Sequence, residues 1–264
     1  MLYRKLCYYA LLLTVLFVIA CGGGQEESST PTPAPAAKPA APSGGGNAYD
    51  ASKATATITG KVTFDGAKPT LATLQMSADP YCKTQHTTPV TEQTVELNPD
   101  GTLKDVFVYV KEGADKWTFT PPTEPAVLDQ QGCMYHPHIL GLMVGQPLTI
   151  KNSDSTLHNI HAQATKNQEF NQGMPTKGME IQKTFTTEEM IPVKCDVHRW
   201  MSAHWMVVKN PFFSVTGDNG TYTIKLPAGT YTIEAWHEKY GTQTQQVTVK
   251  DGESKEAPFT FKAT

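Results

Sequence analysis

The sequence lacks several features that would point to common functional classes. Its 22 lysine and arginine residues are outnumbered by 25 aspartate and glutamate residues, and the formal net charge of −3 offers no basic field for nucleic acid. Basic and aromatic residues are not interleaved. There is no nucleophile elbow, no glycine-rich phosphate loop and no carboxylate pair at a convincing spacing. We therefore expect no nucleic-acid partner and no enzymatic activity.

Sustained helical periodicity is also absent. Short runs rich in Val, Ile, Thr, Tyr and Phe alternate instead with Gly, Pro, Asn and Asp, as in ATITGKVTFDG and TGDNGTYTIKLPAGTYTIEAW. This pattern predicts an all-β chain built of sandwiches.

The first residues indicate the compartment. Arg4 and Lys5 precede an apolar stretch, residues 6–20, that is too short to span a bilayer comfortably. The stretch ends in VIAC, which resembles the lipobox of bacterial lipoproteins, whose cysteine becomes the acylated first residue after cleavage. We expect residues 1–20 to be a lipoprotein signal peptide and Cys21 to be the lipidation site. An ordinary signal peptide or a short anchor helix is the alternative.

Residues 21–54 are dominated by Gly, Ser and Pro, which predicts a disordered tether. Gly22 follows the lipobox cysteine where an acidic residue could stand, and by family analogy this favours the outer membrane in a cell with a periplasm. Beyond the tether we divide the chain into an N-terminal β segment (55–124), a central domain (125–209) and a C-terminal β domain (210–264).

The number of cysteines predicts one thiol without a disulfide partner. Of the five cysteines, Cys7 leaves with the signal peptide and Cys21 carries the lipid. Cys82, Cys133 and Cys195 remain in an oxidising compartment, and three is an odd number. Metal coordination is the usual explanation for a free thiol outside the cell.

The stretch KCDVHRWMSAHWMVV contains a set of metal-binding side chains. Cys195, His198 and Met201 follow the pattern C-x2-H-x2-M. Zinc accepts a thiolate and an imidazole but rarely a thioether, whereas copper accepts all three. The copper arrangement with a thiolate and a weak thioether has two histidines, so another histidine is needed. His158 in STLHNIHA, just past a predicted strand, can supply it. Met206 is the alternative thioether, although HWMVV reads as the next strand.

The segments VGQPLTIKNSDSTLHNIHA and VKCDVHRWMSAHWMVV together resemble the plastocyanin and amicyanin family of cupredoxins, the type 1 blue copper proteins. This resemblance implies a Greek-key sandwich that binds one copper ion and carries single electrons. The ligands that it implies are His158, Cys195, His198 and Met201. It also implies that hydrogen bonds of Asn159 tie the two ligand loops together.

The same resemblance places His198 at the solvent edge, where electrons enter and leave in this family. A transient redox partner would dock there, beside Arg199 and Trp200. Val197 departs from the family, which usually has proline just before the second histidine.

The C-terminal segment resembles carboxypeptidase regulatory-like domains, which have a transthyretin-like sandwich fold. Those domains usually open with a strand like ITGKVTFDG, which here lies within residues 55–124. Two arrangements remain open: the cupredoxin joined to the sandwich in tandem, or the cupredoxin inserted within it.

With the cupredoxin ligands assigned, Cys133 is expected to pair with Cys82, which leaves Cys195 as the odd thiol. The alternative is a second metal site drawn from these residues: Cys82, His86, Cys133, His136 and His138. Structural or surface roles are expected for His161 and His204. His237 and Glu238 in AWHEKYG are expected to lie on a solvated hairpin tip.

Two other functions compete with electron transfer. A copper chaperone or storage lipoprotein would hold Cu(I) and pass it on, and several additional methionines suit that role. A surface module of stacked β domains would need no metal at all.

Overall fold

The computed structural model describes residues 46–263, and the expected signal peptide, the lipidation site Cys21 and tether residues 21–45 lie outside them. Strands dominate the described part, and its helices are three short 3-10 turns, at Ala51–Lys53, Met76–Ala78 and Cys82–Thr84. The predicted all-β class is confirmed. Within residues 46–263, no helix is both long and apolar enough to cross a bilayer.

The strands in chain order are β1 (Asn47–Ala48), β2 (Ala56–Asp65), β3 (Phe107–Glu112), β4 (Trp117–Thr118), β5 (Ala126–Gln131), β6 (Met134–His136), β7 (Ile139–Met143), β8 (Pro147–Asn152), β9 (His158–Ala162), β10 (Phe170–Met174), β11 (Glu180–Thr184), β12 (Glu189–Lys194), β13 (Ser202–Val208), β14 (Phe213–Val215), β15 (Thr221–Leu226), β16 (Gly229–His237), β17 (Gly241–Val249), β18 (Ser254–Glu256) and β19 (Phe259–Lys262).

Strands β5 to β13 form the central sandwich. One sheet has the order β10-β9-β12-β13-β7 and the other the order β11-β8-β5-β6. Side chains from both sheets meet in a core that includes Leu148, Ile150 and Trp205, all fully buried. Cys195 and Met201 belong to this same core, so the loop with the C-x2-H-x2-M motif is anchored in the sandwich interior.

The flanking sandwich combines residues from both ends of the described chain. Its sheets have the orders β14-β3-β16-β17 and β15-β2-β18, and β19 also pairs with β2. β15 shows why these segments form half-buried strands: Tyr222, Ile224 and Leu226 point inward and alternate with exposed polar residues. Ile58 of β2 lies opposite Ile224 of β15. The central sandwich is therefore inserted within the flanking one.

The two sandwiches share an apolar interface. Phe107 and Trp236 of the flanking sandwich cluster with Met206 and Val208 of the central one. Gly141 of β7 makes this approach possible, because a Cβ atom at that position would lie 2.6 Å from a ring carbon of Phe213. The absence of a side chain there lets an aromatic ring rest on the strand.

Residues 46–54, the last part of the predicted tether, have defined structure. β1 pairs in parallel with β4. The Tyr49 ring packs against Trp117 and Phe212, with ring centroids 5.9 and 5.4 Å apart. The prediction of disorder through residue 54 is therefore wrong over these last residues, because an aromatic anchor outweighs the polar composition around it.

Candidate metal centre

The loop between β12 and β13 is closed by its own backbone. The Cys195 N–H donates to the Met201 carbonyl at 3.2 Å, and the Met201 N–H donates to the His198 carbonyl at 2.9 Å. The His198 N–H in turn donates to the Cys195 sulfur at 3.2 Å. These bonds hold the three donor residues of the C-x2-H-x2-M motif in one tight turn at the end of a buried strand.

His158 reaches this loop from the start of β9. β9 pairs with β12, with His161 opposite Lys194, and this places the beginning of β9 beside the end of β12. His158 Nδ1 lies 3.0 Å from His198 Nδ1, which lies 4.0 Å from Cys195 Sγ. The donor atoms of these three residues all lie within 4.8 Å of one another.

The outer nitrogens of the two imidazoles face carboxylates. His158 Nε2 lies 2.8 Å from Asp154 Oδ2, and His198 Nε2 lies 3.0 Å from Asp79 Oδ2. A carboxylate only accepts, so each Nε2 carries the proton, and a neutral ring then has its lone pair on Nδ1. Two lone pairs therefore face each other across 3.0 Å, an arrangement that requires a proton or a metal cation between them.

The surroundings of the Cys195 sulfur favour its thiolate form. Burial alone would raise its pKa, but hydrogen bonds from His158, His198 and the backbone of Asn159 lower it to about 6. Both imidazole pKa values are raised, since the opposing effect of burial is outweighed by the neighbouring carboxylates and thiolate. In the metal-free protein, protons on the imidazoles thus take the position between the donor atoms that a metal cation would take.

The donor spacing fits a first-row metal ion. Such an ion lies about 2.0–2.1 Å from imidazole nitrogen and about 2.3 Å from thiolate sulfur, which in a near-trigonal set separates two nitrogens by roughly 3.1–3.5 Å and nitrogen from sulfur by roughly 3.8 Å. The corresponding distances here, between His158 Nδ1 and His198 Nδ1 and between His198 Nδ1 and Cys195 Sγ, are 3.0 and 4.0 Å. The soft thiolate with two imidazoles suits copper.

The two candidate thioethers occupy different places. Met201 is fully buried in the central core together with Cys195. Met206 belongs to the interface cluster with Phe107 and Trp236. Side chains alternate along β13, and Trp205 points into the central core, so Met206 points away from it. Of the two, only Met201 shares the region of the thiolate.

Asn159 links the two segments that carry the donors. Its Oδ1 accepts the backbone N–H of Asp196 at 2.5 Å, and its Nδ2 donates to Asn171. Tyr135, buried at the base of the site, donates its hydroxyl to the Asn159 carbonyl at 2.5 Å. The position directly after His158 is thus fastened to the position directly after Cys195.

His198 is not at the solvent edge, contrary to the expectation from the resemblance. Its exposed fraction is 3%. Residues 76–86, which we name the cap, cover it: Asp79 accepts its Nε2–H, and the sulfur of Cys82 lies 3.7 Å from that nitrogen. The cap comes from the N-terminal β segment, which the motif comparison did not include.

Cys82 and Cys133 form a disulfide that staples the cap to the central sandwich. Cys195 is the free and buried thiol. The alternative second metal site does not assemble, because His86 Nε2 lies 2.7 Å from the Gly132 carbonyl and His138 Nε2 lies 2.9 Å from Glu238.

Asp154 and Asp79 were missed by sequence reasoning. Asp154 is 1% exposed and accepts hydrogen bonds from the backbone N–H groups of Gly132 and Cys133 as well as from His158. Its position four residues before His158 was the available signal. Asp79 has no such signal, since it is distant in sequence from His198. Burial opposes its ionisation, but hydrogen bonds from Thr156 and others lower its pKa to about 2.

The hairpin tip after β16 also differs from expectation. His237 is 2% exposed and the side chain of Glu238 is 12% exposed, so neither is a solvated surface group. The tip folds back against the central sandwich, where Glu238 meets His138 and His204.

A match to a known family agrees with the resemblance of the C-terminal segment. Residues 209–262 match the carboxypeptidase regulatory-like domain model. Among curated proteins, none matches the sequence. A copper-containing nitrite reductase from Thermus scotoductus SA-01 is similar in structure, with 20% identity and a TM-score of 0.32, over 39% of this chain and 25% of that chain. This protein thus spans about a quarter of the reductase chain.

Two smaller proteins are similar over a larger share of their own length. A purple cupredoxin from Nitrosopumilus maritimus is 24% identical with a TM-score of 0.28, over 31% of this chain and 98% of that one. A variant of amicyanin in its Cu(I) form is 25% identical with a TM-score of 0.29, over 31% of this chain and 81% of that one. These likenesses concern overall shape, and the case for a metal rests on the side chains described above.

Proposed function

We propose that this protein is a type 1 copper protein that carries single electrons between redox partners outside the cytoplasm, anchored to the membrane by a lipid on Cys21. One observation carries the proposal: two opposed Nδ1 lone pairs and a thiolate converge in a buried site. We propose a carrier of electrons and no enzyme.

The residues of the site have distinct roles in this function. Copper bound by His158, Cys195, His198 and Met201 would supply a one-electron Cu(I)/Cu(II) couple. Asp154 and Asp79 fix the imidazole tautomers, so that both Nδ1 lone pairs stay directed inward. The burial of all four donor residues, none more than 3% exposed, keeps water out of the site.

The docking surface lies beside the cap. Leu157 and Val197, each directly before a histidine ligand, have exposed fractions of 43% and 47%. Arg199 is exposed as well. The Trp200 ring lies 5.0 Å from that of His198, between centroids, and donates its Nε1–H to the Cys133 carbonyl. A redox partner with a small, transient interface would therefore approach these exposed residues, which neighbour the two histidine ligands in the chain.

Optical and EPR spectra of the purified protein test the proposal. With Cu(II), we expect an intense visible thiolate-to-copper band that is lost in Cys195→Ser. Met201→Leu should shift the band and the reduction potential, while the control Met206→Leu should leave both unchanged. Absence of copper binding in both redox states, in a folded protein, would refute the proposal.

Burial of His198 favours copper storage as a second candidate. A site closed by Asp79 and a disulfide holds its ion securely and offers no exposed ligand edge for electron exchange. In that case the protein would bind Cu(I) tightly, remain colourless with Cu(II), and release the ion faster once the disulfide is reduced. Electron transfer instead requires reversible oxidation of the bound copper.

A further inference from the structure

A second group of donor residues lies where the two sandwiches meet. His138 directly precedes β7, and His204 lies opposite Ile139 of that strand. Glu238 reaches both histidines from the hairpin tip of the flanking sandwich. Its Oε2 lies 2.9 Å from His138 Nε2 and 3.1 Å from His204 Nδ1. The three donor atoms lie within 4.8 Å of one another.

The tautomer of His138 is set by a backbone carbonyl. His138 Nδ1 lies 3.0 Å from the carbonyl oxygen of Ser202, which can only accept, so Nδ1 carries a proton. A neutral His138 then directs its Nε2 lone pair at the Glu238 carboxylate, which also only accepts. At the candidate metal centre around Cys195, which we call the first centre, two acceptors likewise face each other. Here too, the two acceptors require a cation or an extra proton between them.

The hydrogen bonds of this group are incomplete. Within residues 46–263, neither His204 Nδ1 nor Glu238 Oε1 makes a hydrogen bond, although both atoms are buried. His204 Nδ1 is close to Glu238 Oε2 but does not meet it at a hydrogen-bonding angle. The side chains of His138, His204 and Glu238 are 2%, 19% and 12% exposed. Buried polar atoms without partners are costly, and a bound ion is one of the few ways to satisfy them together.

We propose that His138, His204 and Glu238 form a second metal site, which binds a divalent first-row ion and takes Zn²⁺ readily. Two imidazoles and one carboxylate are a common zinc donor set, with a remaining position for water. Tetrahedral donors about 2.0–2.2 Å from zinc are roughly 3.3 Å apart, close to the two distances at Glu238 Oε2. The site has no thiolate, so it differs from the first centre in its choice of metal.

The site would join the two sandwiches. Glu238 belongs to the flanking sandwich, whereas His138 and His204 belong to the central one. The Nδ1–H of His138 bonded to a carbonyl is also the arrangement that orients histidines bound to metals. Metal binding should therefore stabilise the association of the two sandwiches, independently of copper in the first centre.

Zinc binding to the Cys195→Ser protein tests this inference, since that background removes the thiolate of the first centre. Calorimetric titration with ZnCl₂ should show one tight equivalent, and Zn²⁺ should raise the Tm. Glu238→Gln in the same background should weaken binding by at least about 100-fold and abolish the shift in Tm. The matched control is Glu169→Gln, which removes a carboxylate that contacts one histidine, His161, at 2.9 Å.

Two results would overturn the inference. One is that the folded Cys195→Ser protein binds no zinc, in which case an extra proton on His138 accounts for the group. The other is that Glu238→Gln leaves zinc affinity unchanged. If Glu238→Gln does not fold, as judged by near-UV circular dichroism, His204→Gln replaces it with the same expectation. The copper–thiolate band of the wild type is measured separately, so failure here leaves the first centre unaffected.

Discussion

Replacement of Asp154 by asparagine tests the support of the metal centre most directly. The Asp154 carboxylate accepts four hydrogen bonds. Oδ1 accepts from the Gly132 N–H at 2.9 Å and the Tyr81 hydroxyl at 3.1 Å. Oδ2 accepts from the Cys133 N–H at 2.7 Å and from His158 Nε2 at 2.8 Å. An asparagine side chain would be nearly identical in shape but would keep one accepting oxygen.

The cost follows from which bonds the amide can keep. In the best orientation, the side-chain NH₂ group of the new asparagine takes the place of Oδ1. The Tyr81 hydroxyl can then turn and accept a hydrogen bond from that NH₂ group. The Gly132 N–H is then left without a partner, which costs about 1–3 kcal/mol, and the bonds from Cys133 and His158 lose their charge assistance. We expect Asp154→Asn to lower the free energy of unfolding by about 3 kcal/mol in the metal-free protein.

The pH dependence gives a second readout of the same change. Burial alone would raise the pKa of Asp154, but hydrogen bonds from His158 and the Cys133 backbone lower it below the ordinary 3.8. Stability from a lowered pKa is present above 3.8 and is lost as pH falls through the folded value. The difference in stability between wild type and Asp154→Asn should therefore be full at neutral pH and should shrink in acid.

Urea unfolding at several pH values and copper competition titrations measure both effects. Copper affinity should fall about 10–100-fold, because His158 loses its anionic support. The control is Asp129→Asn: Asp129 accepts one bond from the Ser153 hydroxyl at 2.9 Å, and its other oxygen has no partner within residues 46–263. That change should cost under about 1 kcal/mol. Equal effects of the two substitutions would refute the reasoning.

Two further predictions concern the interface and its surroundings. Gly141→Ala should destabilise the protein by about 1–3 kcal/mol in urea unfolding, because the new Cβ would clash with ring carbons of Phe213 and Phe107 at 2.6 and 2.7 Å. Gly173→Ala is its control, since nothing lies within 4 Å of a Cβ there. Asp105→Asn should stabilise the protein at pH 8 by about 1–2 kcal/mol, because burial first and Glu96 second raise the pKa of Asp105 from 3.8 to about 6. A raised carboxyl pKa lowers the stability of the wild type as pH rises from 3.8 to about 6. The stability gained by Asp105→Asn should therefore vanish below pH 3.8. A gain in stability that does not vary with pH would contradict the raised pKa of Asp105.

Local patterns were sufficient to predict many of the strands and the proximity of the candidate donors within one loop. Alternation in segments such as TYTIKL identifies strands because one face of each is buried. The C-x2-H-x2-M spacing places three donors in one loop because a strand end and a tight turn are local features. The odd cysteine count predicted one free thiol among Cys82, Cys133 and Cys195, and in the structure Cys195 is that thiol.

Other contacts between distant segments were beyond this reasoning. The cap over His198 depends on Asp79 and Cys82, which precede the central sandwich and whose local sequence does not indicate what they cover. The group at Glu238 likewise depends on the parallel register of β7 with β13 and on where a hairpin tip of the other sandwich comes to rest. Such placements follow from tertiary packing, which short-range periodicity does not encode.

The insertion of one sandwich into the other sets an order of assembly for a chain that emerges from its N-terminal end, for example during export. β2 precedes the whole central sandwich in the chain, yet its partners β15, β18 and β19 all follow that sandwich. The cap and Cys133 are present by then, so the first centre can close while β2 still waits with unpaired edges. Glu238 arrives later, which makes the second site the last to be completed. A chain stalled before β15 would thus hold all four proposed copper ligands in place beside a strand prone to aggregation.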